Sequence, residues 1–196
     1  MGRSVAAGHA RGKNEPDNIF AVSAAANAKA RAVGQEKIVN ASIGAFLDAK
    51  GELITLSTVE KTIHSLDFKD TANYAPIAGL PDFIEAAIDV TFGEYKPDAY
   101  IKGVATPGGS GAIHHAIWNY TELGDTYLTT DWFWGPYKTM AREMGRKLET
   151  FVTFDEKGNF NVQACLKKVE ELAKVQKNVL LIINSPAHNP TGYSLS

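Results

Sequence analysis

From residue 99 onward the chain alternates between short apolar runs and helical stretches, which predicts an α/β fold with a mainly parallel sheet flanked by helices. Two further observations support this class. The run "NVLLIIN" is apolar almost throughout, as expected of a strand covered on both faces. The segment "NVQACLKKVEELAKVQK" places Val162, Cys165, Leu166, Val169, Leu172 and Ala173 on one helical stripe, as expected of a helix lying on such a sheet.

Each element has its own local reason. Residues 1–16 carry Gly, Arg, Lys, Asn and Pro without period and read as a flexible arm. Asp17 is placed to cap an Ala-rich helix over residues 19–33, which Gly34 ends. "KIVNASIGAF" reads as an extended piece leading to a turn at Ala49-Lys50-Gly51. Ser57 or Thr58 caps a helix over 59–66. Pro81 suits a first helical turn, where its missing N–H has no partner to lose, and Phe83, Ala86, Ala87 and Val90 follow at helical spacing. "YIKGVAT", "TYLTTD" and "KLETFVTF" read as strands. "GGSGAIHHAIWNYTEL" and "WGPYKTMAREMG" read as helices, the second closed by Gly145.

Composition narrows the function. The 196 residues are 44% hydrophobic and 21% charged, an ordinary globular balance with enough apolar side chains for one sizeable core. A formal net charge of -2 gives no basic footprint for nucleic acid. No run reaches membrane length and no secretory h-region opens the chain. The single cysteine, Cys165, fits a reducing compartment, so the cytoplasm is the expected location. No metal site is expected.

In open α/β sheets ligands bind beyond the carboxyl ends of the strands. Three clusters fall at such ends. "VATPGGSGAI" runs from a strand through glycines and a hydroxyl into a helix, which makes an anion site: bare first-turn amides point outward, and glycine lets a phosphate approach. A Walker A loop fails here because Gly109 stands where its lysine belongs. A nucleophile elbow fails at Ala112, and the dinucleotide fingerprint fails at His114. "DWFWGPY" supplies aromatics, of which Trp132 and Phe133 suit packing and Trp134 suits stacking on a flat ring. "NSPAHNPTG" supplies Asn189, whose carboxamide can donate to a phenolate oxygen. Together the clusters describe a pocket for a phosphorylated aromatic ring, and pyridoxal 5'-phosphate is such a molecule.

The order and spacing of "NASIGAFLD", "NYAPIAGLPDF", "TPGGSGAIHHAIWNY", "DWFWGPYKTMAREMG" and "HNPTG" resemble the class I aminotransferases, the aspartate and aromatic amino-acid branch of fold type I. The resemblance spans residues 17–192 and corresponds to about the amino-terminal half of such an enzyme. It implies an amino-terminal arm and small-domain segment at 1–50, and part of the cofactor-binding large domain at 51–196. Gly108, Gly109 and Ser110 match the phosphate loop, Trp134 the residue stacked on the ring, and Asn189 the donor to the phenolic oxygen. Tyr74 matches a tyrosine that reaches the phosphate of a neighbouring subunit, which implies a homodimer. Gly44 matches a glycine beside the substrate carboxylate. The implied substrates are an amino acid and a 2-oxo acid.

The family's Schiff-base lysine lies in a Ser-x-x-Lys-type loop, and no Ser-x-x-Lys occurs in these residues. The lysine is therefore expected beyond Ser196, with no catalytic residue in this stretch and no turnover by it alone. Three other readings stand beside this one. A β-lyase or carbon-chain synthase of the same cofactor class shares the loop and the asparagine. A non-catalytic dimeric module could keep the phosphate cradle. A serine hydrolase using Ser110 would need His188 as its base. His114 and His115 suit surface or packing roles, His188 suits support of Asn189 or solvation, and Cys165 suits the core.

Overall fold

The computed structural model describes residues 5–11 and 18–195. Asp17, expected to cap the first helix, and residues 1–4 and 12–16 of the arm lie outside the described residues. The chain divides into two compact units, Met1–Tyr74 and Ala75–Ser196. Among the described residues no helix is long and apolar enough to cross a membrane.

In the first unit, α1 (Asn18–Val33) ends where expected. The Gly34 N–H closes on the Ala30 carbonyl at 2.9 Å. The segment after α1 is tied back to it: the Asn40 carboxamide donates to Ser23 Oγ at 3.1 Å and to Asn27 Oδ1 at 2.9 Å. The expected turn at 49–51 forms between a bridged Leu47 and Leu53, and the Asp48 carboxylate accepts the Lys50 and Glu52 amides at 2.8 and 2.9 Å. α2 (Ser57–Ser65) corrects the expected cap. The helix already includes Ser57 and Thr58, Leu56 is the capping residue, and no side chain bonds the helix start. α3 (Phe68–Ala72) is capped by the Asp67 carboxylate on the Lys69 amide.

In the second unit, α4 (Pro81–Phe92) begins on Pro81 as expected. Its packed face differs from the expected one. Phe83 and Val90 are exposed, while Ile84 and Ile88 are half-buried beside Gly103. "YIKGVAT" forms no strand; it passes α4 as extended chain and pairs only through the Ala105 N–H to the Ala78 carbonyl at 2.8 Å.

α5 (Gly108–Tyr120), β1 (Thr126–Thr130), α6 (Pro136–Glu143), β2 (Lys147–Phe151) and α7 (Val162–Ala173) follow in the expected order. β1 and β2 pair in parallel, from Thr126 opposite Lys147 to Thr130 opposite Phe151. On the other side of β1, the "NVLLIIN" segment joins by one parallel bridge at Leu181. Leu128 donates to the Leu180 carbonyl and accepts from the Ile182 amide, both at 2.9 Å. β1 is therefore the central strand, and all of its residues are buried. The "NVLLIIN" segment, expected to be covered on both faces, is only half-buried, because a single bridge holds it at the edge.

Successive side chains on a strand face opposite ways, so Tyr127 and Leu128 sort the helices. Tyr127 packs with Ile117 of α5 and with Tyr137 and Ala141 of α6, while Leu128 packs with Phe151 and with Cys165 and Leu172 of α7. The result is a helix–sheet–helix sandwich with two hydrophobic clusters. Cys165 lies in the core as expected, but Val162 and Leu166 at the margin of the α7 stripe are exposed. The Asn161 side chain caps α7 through the Ala164 amide at 3.0 Å.

Burial of polar groups is matched by bonding. Arg146 is buried, and among the described residues it meets no carboxylate. Its Nε donates to Thr121 Oγ1 at 3.2 Å and its Nη2 to the Thr121 carbonyl at 2.9 Å, while Nη1 donates to the Met144 carbonyl. Those carbonyls lie at the carboxyl ends of α5 and α6, where a cation is favoured by the helix dipoles. The guanidinium also stacks over Trp118 at 5.0 Å. The Tyr127 hydroxyl donates to the Tyr137 carbonyl, and burial pushes its pKa up to about 12.

Candidate functional site

The site elements gather at the carboxyl edge of β1. A short connection, residues 121–125, joins the end of α5 to the start of β1, so α5 runs back along the strand and its first turn lies at that edge. Gly108 opens the helix at φ 67°, in the region glycine adopts without a steric penalty, and a Cβ added there or at Gly109 would meet nothing within 4 Å. Among the described residues the amides of Gly109 and Ser110 meet no acceptor, and Ser110 is exposed. This turn presents free donors to open space.

What holds the turn in place includes a contact that sequence reasoning missed. Gly79 sits at φ 104°, and a Cβ there would come within 2.6 Å of the Ala105 Cβ. The Ala78–Gly79 turn thus closes directly against the extended chain that leads into Gly108. The "AGLP" string carried this signal as an ordinary turn, with nothing to indicate its partner.

The loop after β1 carries the aromatics. Trp134 is half-buried, packs on the Ile117–Tyr127 cluster, and meets Tyr137 edge-to-face at 5.7 Å and 86°. Phe133 packs on the same cluster as expected and stacks on Tyr137 at 6.4 Å. Trp132 is 56% exposed, so of the core or domain-interface packing expected of it the core role is the one the structure corrects. The Asp131 carboxylate anchors this loop to the strand end: it accepts the Trp132 amide at 3.0 Å, the Thr153 amide at 2.8 Å and the Thr153 hydroxyl. A lone Asp after a strand gave no signal of this role, because its partner comes from the turn after β2.

The third segment holds Asn189. Its N–H donates to Asn184 Oδ1 at 2.7 Å, and its carboxamide is exposed with no partner among the described residues. The Ser185–Pro186 and Asn189–Pro190 peptides are cis. His188 is buried between the loop and β1, with Nδ1 2.7 Å from Thr191 Oγ1 and Nε2 3.4 Å from Thr130 Oγ1. It therefore braces the Asn189 loop and is not solvated. His114 and His115 are exposed on α5, edge-to-face with each other at 5.9 Å.

Ser110, Trp134 and Asn189 thus belong to one compact unit and to segments that share one sheet edge. Gly44 and Tyr74 belong to the first unit. Gly44 is the centre of a tight turn closed by the Ala45 N–H on the Ile43 carbonyl at 2.8 Å, with open space around it, and Tyr74 is 99% exposed.

The free amino terminus of α5, the aromatic loop and the Asn189 loop all lie at the carboxyl edge of a parallel α/β sheet, where proteins of this fold class bind their ligands. The comparisons with known proteins name the family. Aminotransferase class I and II matches residues 36–196, and the chain belongs to that family, whose members of this fold are pyridoxal-phosphate enzymes of fold type I. It is similar to mitochondrial aspartate aminotransferase of Gallus gallus, 26% identical over 165 residues, covering 80% of this chain and 38% of that protein. Cytoplasmic aspartate aminotransferase of Schizosaccharomyces pombe is also 26% identical, over 80% of this chain and 40% of its own length. Among solved structures, an aminotransferase from Anaerococcus prevotii superposes with a TM-score of 0.94 at 39% identity, covering 99% of this chain and 47% of that one. An aromatic amino acid aminotransferase from Burkholderia cenocepacia shares the fold at a TM-score of 0.70 and 23% identity, over 93% of this chain and 46% of that one. The chain spans less than half the length of these relatives.

Proposed function

We propose that this chain supplies part of the cofactor site of an aminotransferase that moves an amino group between an amino acid and a 2-oxo acid. The observation that carries the proposal is the pair of unpaired amides at Gly109 and Ser110, opening on free space at the sheet edge where Trp134 and Asn189 also lie. The donor set fits pyridoxal 5'-phosphate. Two amides, a hydroxyl and a helix dipole suit a phosphate dianion. An indole suits a pyridine face, and a free carboxamide suits a phenolate. When bound, the cofactor acts as the electron sink for loss of the substrate's α-proton.

The chain's own residues bind and orient. Gly108, Gly109 and Ser110 hold the phosphate, Trp134 fixes the plane of the ring, and the Asn189 carboxamide donates to the phenolic oxygen and favours its ionised form. Gly44 lies beside the substrate carboxylate. Tyr74 reaches the phosphate of a second subunit in a cytoplasmic homodimer. The lysine that holds the cofactor covalently comes from outside these 196 residues, so this stretch alone does not transaminate. The domain division proposed for the intact enzyme places 1–50 with the small domain and 51–196 with the large one.

Calorimetry with pyridoxamine 5'-phosphate tests the binding reading, because this probe forms no imine with surface lysines. The chain binds it, and Ser110→Ala weakens binding about tenfold, the loss of one charge-assisted hydrogen bond. No binding, or an unchanged affinity in Ser110→Ala, overturns the assignment. Oxo-acid production by the purified chain would overturn the placement of the lysine.

A further inference from the structure

Three segments build the candidate site, and the hydrogen bonds of His188 tie the Asn189 loop to the end of β1, where the aromatic loop begins. The Thr130 hydroxyl, at the last residue of β1, donates to the Trp132 carbonyl. Its one proton is thereby committed, so its oxygen can only accept from the His188 ring, 3.4 Å away. That requires N–H at Nε2. The Thr191 oxygen accepts the Tyr193 amide at 3.3 Å and lies 2.7 Å from His188 Nδ1. The ring is therefore held between two hydroxyls, one at each nitrogen. The loop backbone closes around it: His188 donates to the Tyr193 carbonyl at 2.7 Å and accepts from the Gly192 amide at 2.6 Å. Asn184 completes the brace by accepting the Asn189 amide.

We propose that His188, acting through Thr130, is the positioning residue that sets the Asn189 donor against the aromatic loop. The connection is continuous, from the Trp132 carbonyl through Thr130 and the imidazole to Thr191, two residues past Asn189. It crosses from the central strand to the half-buried edge segment, where the backbone ladder has only one bridge. A buried polar ring with both nitrogens engaged costs little to keep and much to mispair, so it holds one geometry. The inference rests on the cofactor reading for the purpose of the positioning, but the brace itself is observable without cofactor.

Hydrogen exchange in the unliganded chain tests the brace. In His188→Ala, and in the nearly isosteric Thr130→Val, protection of the Asn189 amide falls at least about tenfold while that of the Leu128 amide in β1 is unchanged. Unchanged protection at Asn189 in both variants overturns the proposal. So does an equal fall at Leu128, which would mean general loosening of the fold. A double-mutant cycle tests the positioning. His188→Ala weakens pyridoxamine 5'-phosphate binding about tenfold in the wild-type background and causes no further loss in Asn189→Ala. Additive losses overturn it, as does an unaltered affinity in His188→Ala. A wild-type chain that binds no pyridoxamine 5'-phosphate sinks the cofactor reading and the positioning role with it, while the exchange result still decides whether His188 braces the loop.

Discussion

The two units of the chain differ in what they bury. Among the described residues of Met1–Tyr74, only Ser23 and Ala30 are buried, and Phe20, Phe46, Leu56 and Phe68 stand exposed. Ala75–Ser196 encloses Ile117, Tyr127, Leu128, Tyr137, Phe151 and Leu172 in two clusters on the faces of one strand. The first unit rests mainly on local means, with alanine propensity in α1, an Asp67 cap on α3 and an Asp48-centred turn between them, and Asn40 adds the longer-range tie to Ser23 and Asn27. Local means specify elements but contribute little net stability, because fixing each residue costs more than a cap or a turn returns. In the second unit, tertiary burial offsets that cost.

The sharpest test of this contrast is Leu128→Ala. Leu128 is wholly buried, so truncation removes transfer free energy and leaves a cavity, for a loss of about 3 kcal/mol in urea unfolding of the second unit. A loss under about 1 kcal/mol would erase the distinction. Alkaline unfolding tests the same core through Tyr127. Its folded pKa is pushed up from 10.0 to about 12 by burial, so the folded state holds a proton that the unfolded state releases. The stability it contributes is complete below pH 10 and is lost as pH rises toward 12, roughly 3 kcal/mol by the linkage relation. Tyr127→Phe should flatten that part of the pH–stability curve; an unchanged slope would show that the hydroxyl titrates freely.

Arg146→Ala comes next. It leaves helix-end carbonyls of α5 and α6 buried without their donor, for a loss of about 1.5 kcal/mol seen as a lower denaturation midpoint. Arg146→Lys keeps the charge but not the fork that reaches Thr121 and Met144 together, and recovers only part of the loss. The smallest effect belongs to the first unit. Ile63 on α2 is 61% exposed, and Ile63→Ala changes stability by no more than about 0.5 kcal/mol. A loss as large as that of Leu128→Ala would show that this face is covered in solution.

The sequence determined most of what is periodic or local. The alternation after residue 99, the glycine-opened α5, Pro81 at the head of α4, the stripe of α7 through Cys165 and the turn at 49–51 all follow from dihedral preference and hydrophobic spacing, which neighbouring residues set on their own. The residue types of the candidate site were legible too, since glycine amides, an indole and a carboxamide declare their chemistry in one dimension. Three things were decided only by the tertiary structure. "YIKGVAT" has strand-like residues but no strand beside it to pair with, so it stays extended chain. α4 turns Ile84 and Ile88 inward and leaves Phe83 out, because the choice between adjacent apolar faces depends on what lies beneath. The supports of the site, Asp131 on Thr153 and His188 on Thr130, join residues far apart in the chain, and a polar side chain reveals its partner only when folding brings the two together.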